Sequence, residues 1–119
     1  MENIVQDDSC SSQAFAAKVL YHYVIVRSGL SMGIQGAQIA HAAGESSTGS
    51  LPPGTYAVIL QASKEELEAL EQKLQLEGVP HRAIRENDPP WCGELLAIGL
   101  RPALKKEVKR FVSALPLLR

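Results

Sequence analysis

The residues best placed to do chemistry sit on one predicted helix, from about Ile34 to Ala43. At 100° per residue, Gln38, His41 and Glu45 fall within about 60° of one another, with Ile34 on the same stripe. Ile39, Ala40 and Ala43 lie on other sides. A histidine in a polar stripe can titrate near neutral pH and so serve as an acid or base. The same stripe is equally what a solvated helix face with an incidental histidine looks like. The turn before it contains Gly33, with Gly36 inside the helix. Glycines there let backbone N–H groups approach a ligand, and a helix N-terminus favours anions. The spacing is not that of a P-loop or dinucleotide fingerprint.

A second candidate is the segment Asn87-Asp88-Pro89-Pro90-Trp91-Cys92-Gly93. It follows a predicted strand, and loops at strand ends often carry function. Asp88 is its acid and Trp91 its large aromatic. The alternative is a hairpin loop whose Trp91 covers the core edge. Cys92 has no readable activating partner and is not assigned as a nucleophile. His22 lies within an apolar run and reads as a rim or core residue.

These residues need elements to position them. Val19 to Val26 is β-branched, aromatic and nearly continuous in its apolarity, which predicts a central strand buried on both faces. The helix after it is rich in small residues, and Gly44 can end it. A Ser, Gly and Pro-rich loop spans Glu45 to Gly54, and Thr55 to Ala62 is a second strand. Ser63-Lys64-Glu65-Glu66 is a capping box, Leu67, Leu70 and Leu74 recur at helical spacing, and Gly78 stops that helix. Val79 to Glu86 is a third strand, with Pro80 marking an edge. Glu94 to Leu100 is the fourth. Pro102 opens a final helix that Pro116 closes. The order β-α-β-α-β-β-α predicts an α/β fold: a mixed four-stranded sheet packed with helices.

The bulk properties set bounds. The chain has 119 residues, 45% of them hydrophobic, which suits one domain with a modest core. We expect a tail over residues 1–17 and one domain over 18–119. The core being modest, a homodimer is possible. No apolar run reaches the ~20 residues that span a bilayer, and no membrane partner is expected. The acidic start, with Glu2, Asp7 and Asp8, does not read as a secretory signal. Cys10 and Cys92 have neither disulfide-framework nor metal-ligand spacing, so a reducing, cytoplasmic setting is expected, with no metal and no cofactor. The net charge is −1, but it is unevenly spread. Lys64 to Glu77 carries five glutamates against two lysines, whereas Arg101, Lys105, Lys106, Lys109 and Arg110 face Glu107 alone. A basic face on a neutral protein is either a nucleic-acid surface or a solvated helix.

The stretch Val24-Ile25-Val26-Arg27-Ser28-Gly29-Leu30-Ser31-Met32-Gly33, followed by Gln38-Ile39-Ala40-His41-Ala42-Ala43, resembles the opening signature of family 2 peptidyl-tRNA hydrolases. There a strand ends in V-V-R-x-D-L-x-M-G, and a helix then carries A-Q-x-S-H-A. The weaker likenesses Ala83-Ile84-Arg85 and Leu96-Ala97-Ile98-Gly99 extend the resemblance over about residues 19–119, closest to the divergent domain-containing branch. The resemblance implies hydrolysis of the ester between peptide and tRNA, and peptidyl-tRNA as the partner. It implies catalytic roles for His41, Asp88 and Gln38, with Asp88 or Glu86 orienting His41. It implies substrate contacts at Arg27, Met32, Gly33, Arg85, Lys105 and Lys109. The departures are specific. Ile34-Gln35-Gly36-Ala37 is shorter than the family's segment and lacks its lysine. Glu86-Asn87-Asp88-Pro89-Pro90 stands where the family has an aspartate and, a few residues on, a threonine. An RNA-binding module that kept the fold and lost the chemistry is the alternative, and an interaction domain with no RNA partner a third.

Overall fold

The computed structural model describes residues 19–119; the expected tail over residues 1–17 lies outside them. The elements are β1 (Leu20–Arg27), α1 (Met32–Ser46), β2 (Tyr56–Ala62), α2 (Lys64–Leu76), β3 (His81–Glu86), β4 (Glu94–Leu100), β5 (Ala103–Leu104) and α3 (Lys105–Val112). The strand order is β2-β1-β4-β3, the four strands expected, with the short β5 added as a fifth against the start of β1. β1 pairs parallel with β2, from Tyr21↔Tyr56 to Arg27↔Ala62. It pairs antiparallel with β4 on the other side, and β4 with β3 in turn. The mixed sheet and the central place of β1 are therefore as the sequence predicts.

Alternation along β1 divides the core in two. Val24 and Val26 face α1, with Ala42, Ile84 and Ala97. Tyr23 and Ile25 face the other way, against Leu67, Leu70 and Leu74 of α2 and Val108, Phe111 and Val112 of α3. Both sets are apolar because both faces are covered, which is why the strand reads as an unbroken apolar run. Part of the free edge of β2 is covered by the C-terminal segment: Gln61 N–H donates to Pro116 O at 3.0 Å and Leu118 N–H to Ile59 O at 3.0 Å. This blunts the edge against pairing with another chain.

The capping box of α2 is present. Ser63 Oγ accepts the Glu66 N–H at 3.1 Å, and Glu66 Oε1 accepts the Ser63 N–H at 2.8 Å. Gly78 follows the helix at φ +67°, where a side chain would be strained.

Two helices differ in their boundaries from the sequence reading. α1 begins at Met32 and continues through Gly44 to Ser46. Its last turn is anchored instead: Ser46 Oγ donates to Ala42 O at 2.6 Å and accepts from His22 Nε2 at 2.8 Å. Pro102 does not open α3. Ala103 and Leu104 pair with Tyr21 and Leu20, so these residues complete the sheet before the helix starts. Glu107 Oε1 then accepts the Leu104 N–H at 3.1 Å, which sets the first turn at Lys105. The helix stops at Val112, short of Pro116.

α1 lies unusually close to β4 at Gly99. A Cβ there would sit 2.4 Å from Ala42 O and 2.4 Å from Ser46 Oγ. Gly99→Ala should therefore cost about 1–3 kcal/mol, read as a lower urea midpoint with an unchanged m-value. His22 is buried, and burial lowers its pKa below the ordinary 6.5. The unfolded chain takes up that proton first, so the stabilising contribution is complete above about pH 6.5 and declines as pH falls below it. A His22→Gln variant should lose this part of the slope between pH 7 and 5 in denaturant titrations at each pH.

Candidate active site

The carboxyl ends of β1, β2 and β3 and the start of β4 share one rim of the sheet, because β1 and β3 both run antiparallel to β4. The N-termini of α1 and α2 open onto the same rim. In open α/β sheets this is where ligands bind. The α1 start is uncompensated: Ser31 makes no side-chain cap, and the first turn contains no acid. Its leading N–H groups are therefore free of the usual local partners. Met32 is 87% exposed, and Gly33 and Gly36 face open space.

One cluster on this rim is ionic. Arg27 Nη1 donates to Glu94 Oε1 at 2.5 Å, and Lys64 Nζ lies 4.0 Å from the same oxygen. The Arg27 guanidinium is stacked over Trp91, 5.3 Å from its ring centre. The hydrogen bond from Arg27 holds the Glu94 carboxyl below its usual range; partial burial opposes this, and the charges of Lys64 and Arg27 reinforce it. Trp91 is half-buried, packed as a lid on Arg27. A phosphate recruited by Arg27 would have to compete with Glu94.

The second cluster joins α1 to the end of β3. Gln38 Nε2 donates to Glu86 Oε1 at 3.2 Å, and the Asp88 N–H donates to Glu86 Oε2 at 3.1 Å. Gln38 is 4% exposed, and its Oε1 has no hydrogen-bond partner among the described residues. A buried acceptor of this kind calls for a donor such as a water or a ligand hydroxyl.

The polar stripe foreseen on α1 is thus divided. Gln38, Ala42 and Ser46, spaced by four, form the buried row against the sheet. His41 and Glu45 lie on the exposed flank, and Glu45 Oε1 pairs with Arg82 Nη2 at 3.3 Å. The carboxylate that meets α1 is Glu86. The Asp88 side chain is exposed, and its carbonyl shapes the turn by accepting the N–H groups of Trp91 and Cys92 at 2.9 and 3.2 Å. Strand alternation carried the missed signal. Arg82, Ile84 and Glu86 share a face, and apolar Ile84 marks it as the inner one. Arg85 falls on the other face, where its Nη2 pairs with Glu71 Oε1 at 2.6 Å.

Lys105 and Lys109 sit elsewhere. Lys105 Nζ lies 5.4 Å over the Tyr21 ring, at the start of β1. Tyr21 and Arg27 are separated by roughly 20 Å of strand. Two grooves, of about 350 and 310 Å³, also lie at that far rim, sharing Pro80 and Arg101; neither is lined by the α1 start or by residues 86–93. Among the described residues, no group of three His, Cys, Asp or Glu could hold a metal, and no helix is long and apolar enough to cross a membrane.

Trp91 is the single tryptophan, so its emission reports on the Arg27 stack. Glu94 stabilises the cluster while ionised, and this is lost as pH falls through its lowered pKa. Acid titration of Trp91 fluorescence should show a transition below the ordinary carboxyl value of 4.5, absent in Glu94→Gln. Global stability of that variant should change little, since the pair is solvent-accessible.

Comparison with known proteins adds to this geometry. No match was found among curated proteins. Among solved structures, a protein of unknown function from Agrobacterium tumefaciens strain C58, Atu0240, is similar at a TM-score of 0.59 and 15% identity, covering 84% of this chain and 98% of that one. At that identity the likeness speaks to the fold alone. The family model described as "Peptidyl-tRNA hydrolase PTH2" matches residues 20–118, nearly the whole described domain including both clusters. The chain belongs to the peptidyl-tRNA hydrolase PTH2 family.

Proposed function

We propose that this protein hydrolyses the ester joining a peptide to the terminal ribose of tRNA. The observation that carries the reading is the family match over residues 20–118. A cytoplasmic role in translation goes with it, and the absence of any described membrane-spanning helix is compatible with that.

The reaction needs a base for the attacking water, donors for the carbonyl oxygen as it becomes an oxyanion, and a proton for the departing ribose oxygen. The uncapped start of α1 supplies donors: the N–H groups of Met32 and Gly33 and the dipole behind them. Distance then separates the candidate bases. Gly33 to His41 is roughly 12 Å of helical rise, and Gly33 to Gln38 roughly 7.5 Å. Side chains on a helix lean toward its N-terminus, which shortens both spans. An ester seated on the Met32 and Gly33 amides is therefore nearer to the Gln38–Glu86 pair than to His41. In this reading Glu86 takes the proton from water and returns it to the ribose oxygen as the ester C–O bond breaks, Gln38 and the Asp88 N–H fix the carboxylate, and His41 flanks the site one turn on.

The runner-up is an RNA-binding module without turnover. What favours it is the scarcity of free cations: the segment from Met32 to Ala37 has no lysine, and Arg27 is already engaged by Glu94. The purified protein, given peptidyl-tRNA and uncharged tRNA, should turn over the first. Binding of both without release of peptide selects the module, and neither binding nor release selects an interaction domain. Glu86→Gln should lower turnover about 10²–10⁴-fold. The same drop in His41→Ala, with Glu86→Gln unaffected, would move the base to His41. His41→Ala should fold normally, because the residue is exposed. Binding of tRNA should weaken with salt, and Lys105→Ala with Lys109→Ala should reduce the log–log slope by about one unit for each phosphate no longer neutralised.

A further inference from the structure

The far rim of the sheet carries an aromatic step that the hydrolytic site does not use. Tyr23, Tyr21 and Tyr56 run from the core outward. Tyr23 is buried, Tyr21 is half-buried, and Tyr56 is 57% exposed. The Tyr21 and Tyr23 rings are stacked at 6.0 Å with 17° between their planes, and Tyr21 and Tyr56 lie 5.2 Å apart at 34°. Tyr21 and Tyr56 are register partners, so their side chains share one face of the sheet. That face is the one covered by α2 and α3.

A cationic border adjoins the step. Lys105, at the start of α3, lies over the Tyr21 ring. Lys109 follows one turn later on the same flank, and Lys106 is exposed beside them. Glu107, the acid of this turn, has Oε1 occupied by the Leu104 N–H. An exposed, pre-oriented aromatic bordered by lysines is suited to a ligand with a flat apolar face and a negative backbone. Unpaired nucleotides have both: the base stacks on the ring and the phosphates meet the ammonium groups. A duplex offers the phosphates but keeps its bases stacked on one another.

We propose that Tyr56, with Tyr21 behind it and Lys105, Lys106 and Lys109 beside it, is a stacking platform for an unpaired stretch of RNA, separate from the hydrolytic rim. The proposal deepens the reading of RNA as this protein's partner and rests on it. The platform lies roughly 20 Å of strand from Arg27. It thus holds a part of the RNA other than the reacting end.

The probe is fluorescein-labelled oligouridylate of about ten nucleotides, within the usual single-strand site size, titrated with the full chain and read by anisotropy. The full chain should bind it more tightly than an RNA duplex of equal length. Tyr56→Ala should weaken single-strand binding about 5- to 150-fold, and Tyr56→Phe, which keeps the ring, should retain it. Tyr56→Ala should leave the salt slope unchanged, whereas Lys105→Gln with Lys109→Gln should flatten it. Equal affinity for duplex and single strand, or an unaltered Tyr56→Ala affinity, overturns the platform. So does failure of the full chain to bind, including the case where nuclear Overhauser effects show residues 1–18 seated on the Tyr56 ring. The oligonucleotide contains no ester, so its binding is read independently of hydrolysis. Failure of the hydrolase reading appears only in the peptidyl-tRNA assay, and failure of the platform only here.

Discussion

The close approach of α1 to β4 at Gly99 is the constraint from which the rest of the inner face follows. A helix ordinarily stands off a sheet by the length of its side chains. Here the backbone of Ala42 and the side chain of Ser46 occupy the space a Cβ at position 99 would need. The helix can settle that low because its contacting row is Gln38, Ala42 and Ser46, with no large apolar residue. Two polar contacts fix this row at its ends: Ser46 to His22 near the start of β1, and Gln38 to Glu86 near the end of β3. The candidate site is therefore one end of a packing arrangement whose other end is a buried histidine. A shift in how α1 seats at Gly99 would be felt as a change in the Gln38–Glu86 distance, well away from the glycine.

Polar groups buried at such a contact are tolerated only when paired, and the two ends differ in this respect. His22 and Ser46 form a closed chain, with the serine hydroxyl donating onward to Ala42 O. Burial lowers the pKa of the imidazole and so favours its neutral form, which suits a structural strut. Gln38 is different: its amide N–H is used and its carbonyl is not. An unmet acceptor costs stability, on the order of 1–3 kcal/mol when no water or ligand satisfies it. The two polar contacts of the same helix thus differ, one closed within the protein and the other leaving an acceptor that no described protein group meets.

The sequence was most legible where one principle acted alone. β1 announced itself because both its faces are covered, and α2 because its capping box and leucine spacing agree. It was least legible where local chemistry competed with tertiary pairing. Pro102 is a good helix opener, yet Ala103 and Leu104 gain more by bonding to β1. Gly44 is a good helix terminator, yet Ser46 is held by His22 and carries the helix past it. The candidate site was legible as a set of neighbourhoods: α1 and the end of β3 do meet. The pairing within it was not, because a 60° stripe at the boundary of a helix–sheet contact can fall on either side. Gln38 fell inside and His41 outside. Asp88 drew attention as the loop's acid, but alternation from Ile84 assigns the inward carboxylate to Glu86.

Charge placement separates the two rims further. At the rim that carries α1's start, the cations Arg27 and Lys64 converge on a single carboxylate, Glu94, and Glu86 and Asp88 lie at the same rim, so it has no excess of positive charge. Arg85 and Arg110 are likewise held, by Glu71 and Glu77. Lys105, by contrast, sits over an aromatic ring, which attracts a cation without neutralising it. The field that an approaching polyanion meets is then set less by the number of basic residues than by which of them still carry net charge outward. By that measure the α3 rim presents positive charge outward and the α1 rim does not. Under the proposed function, this division would hold the long anionic part of the substrate at the α3 rim and leave its neutral ester to the start of α1.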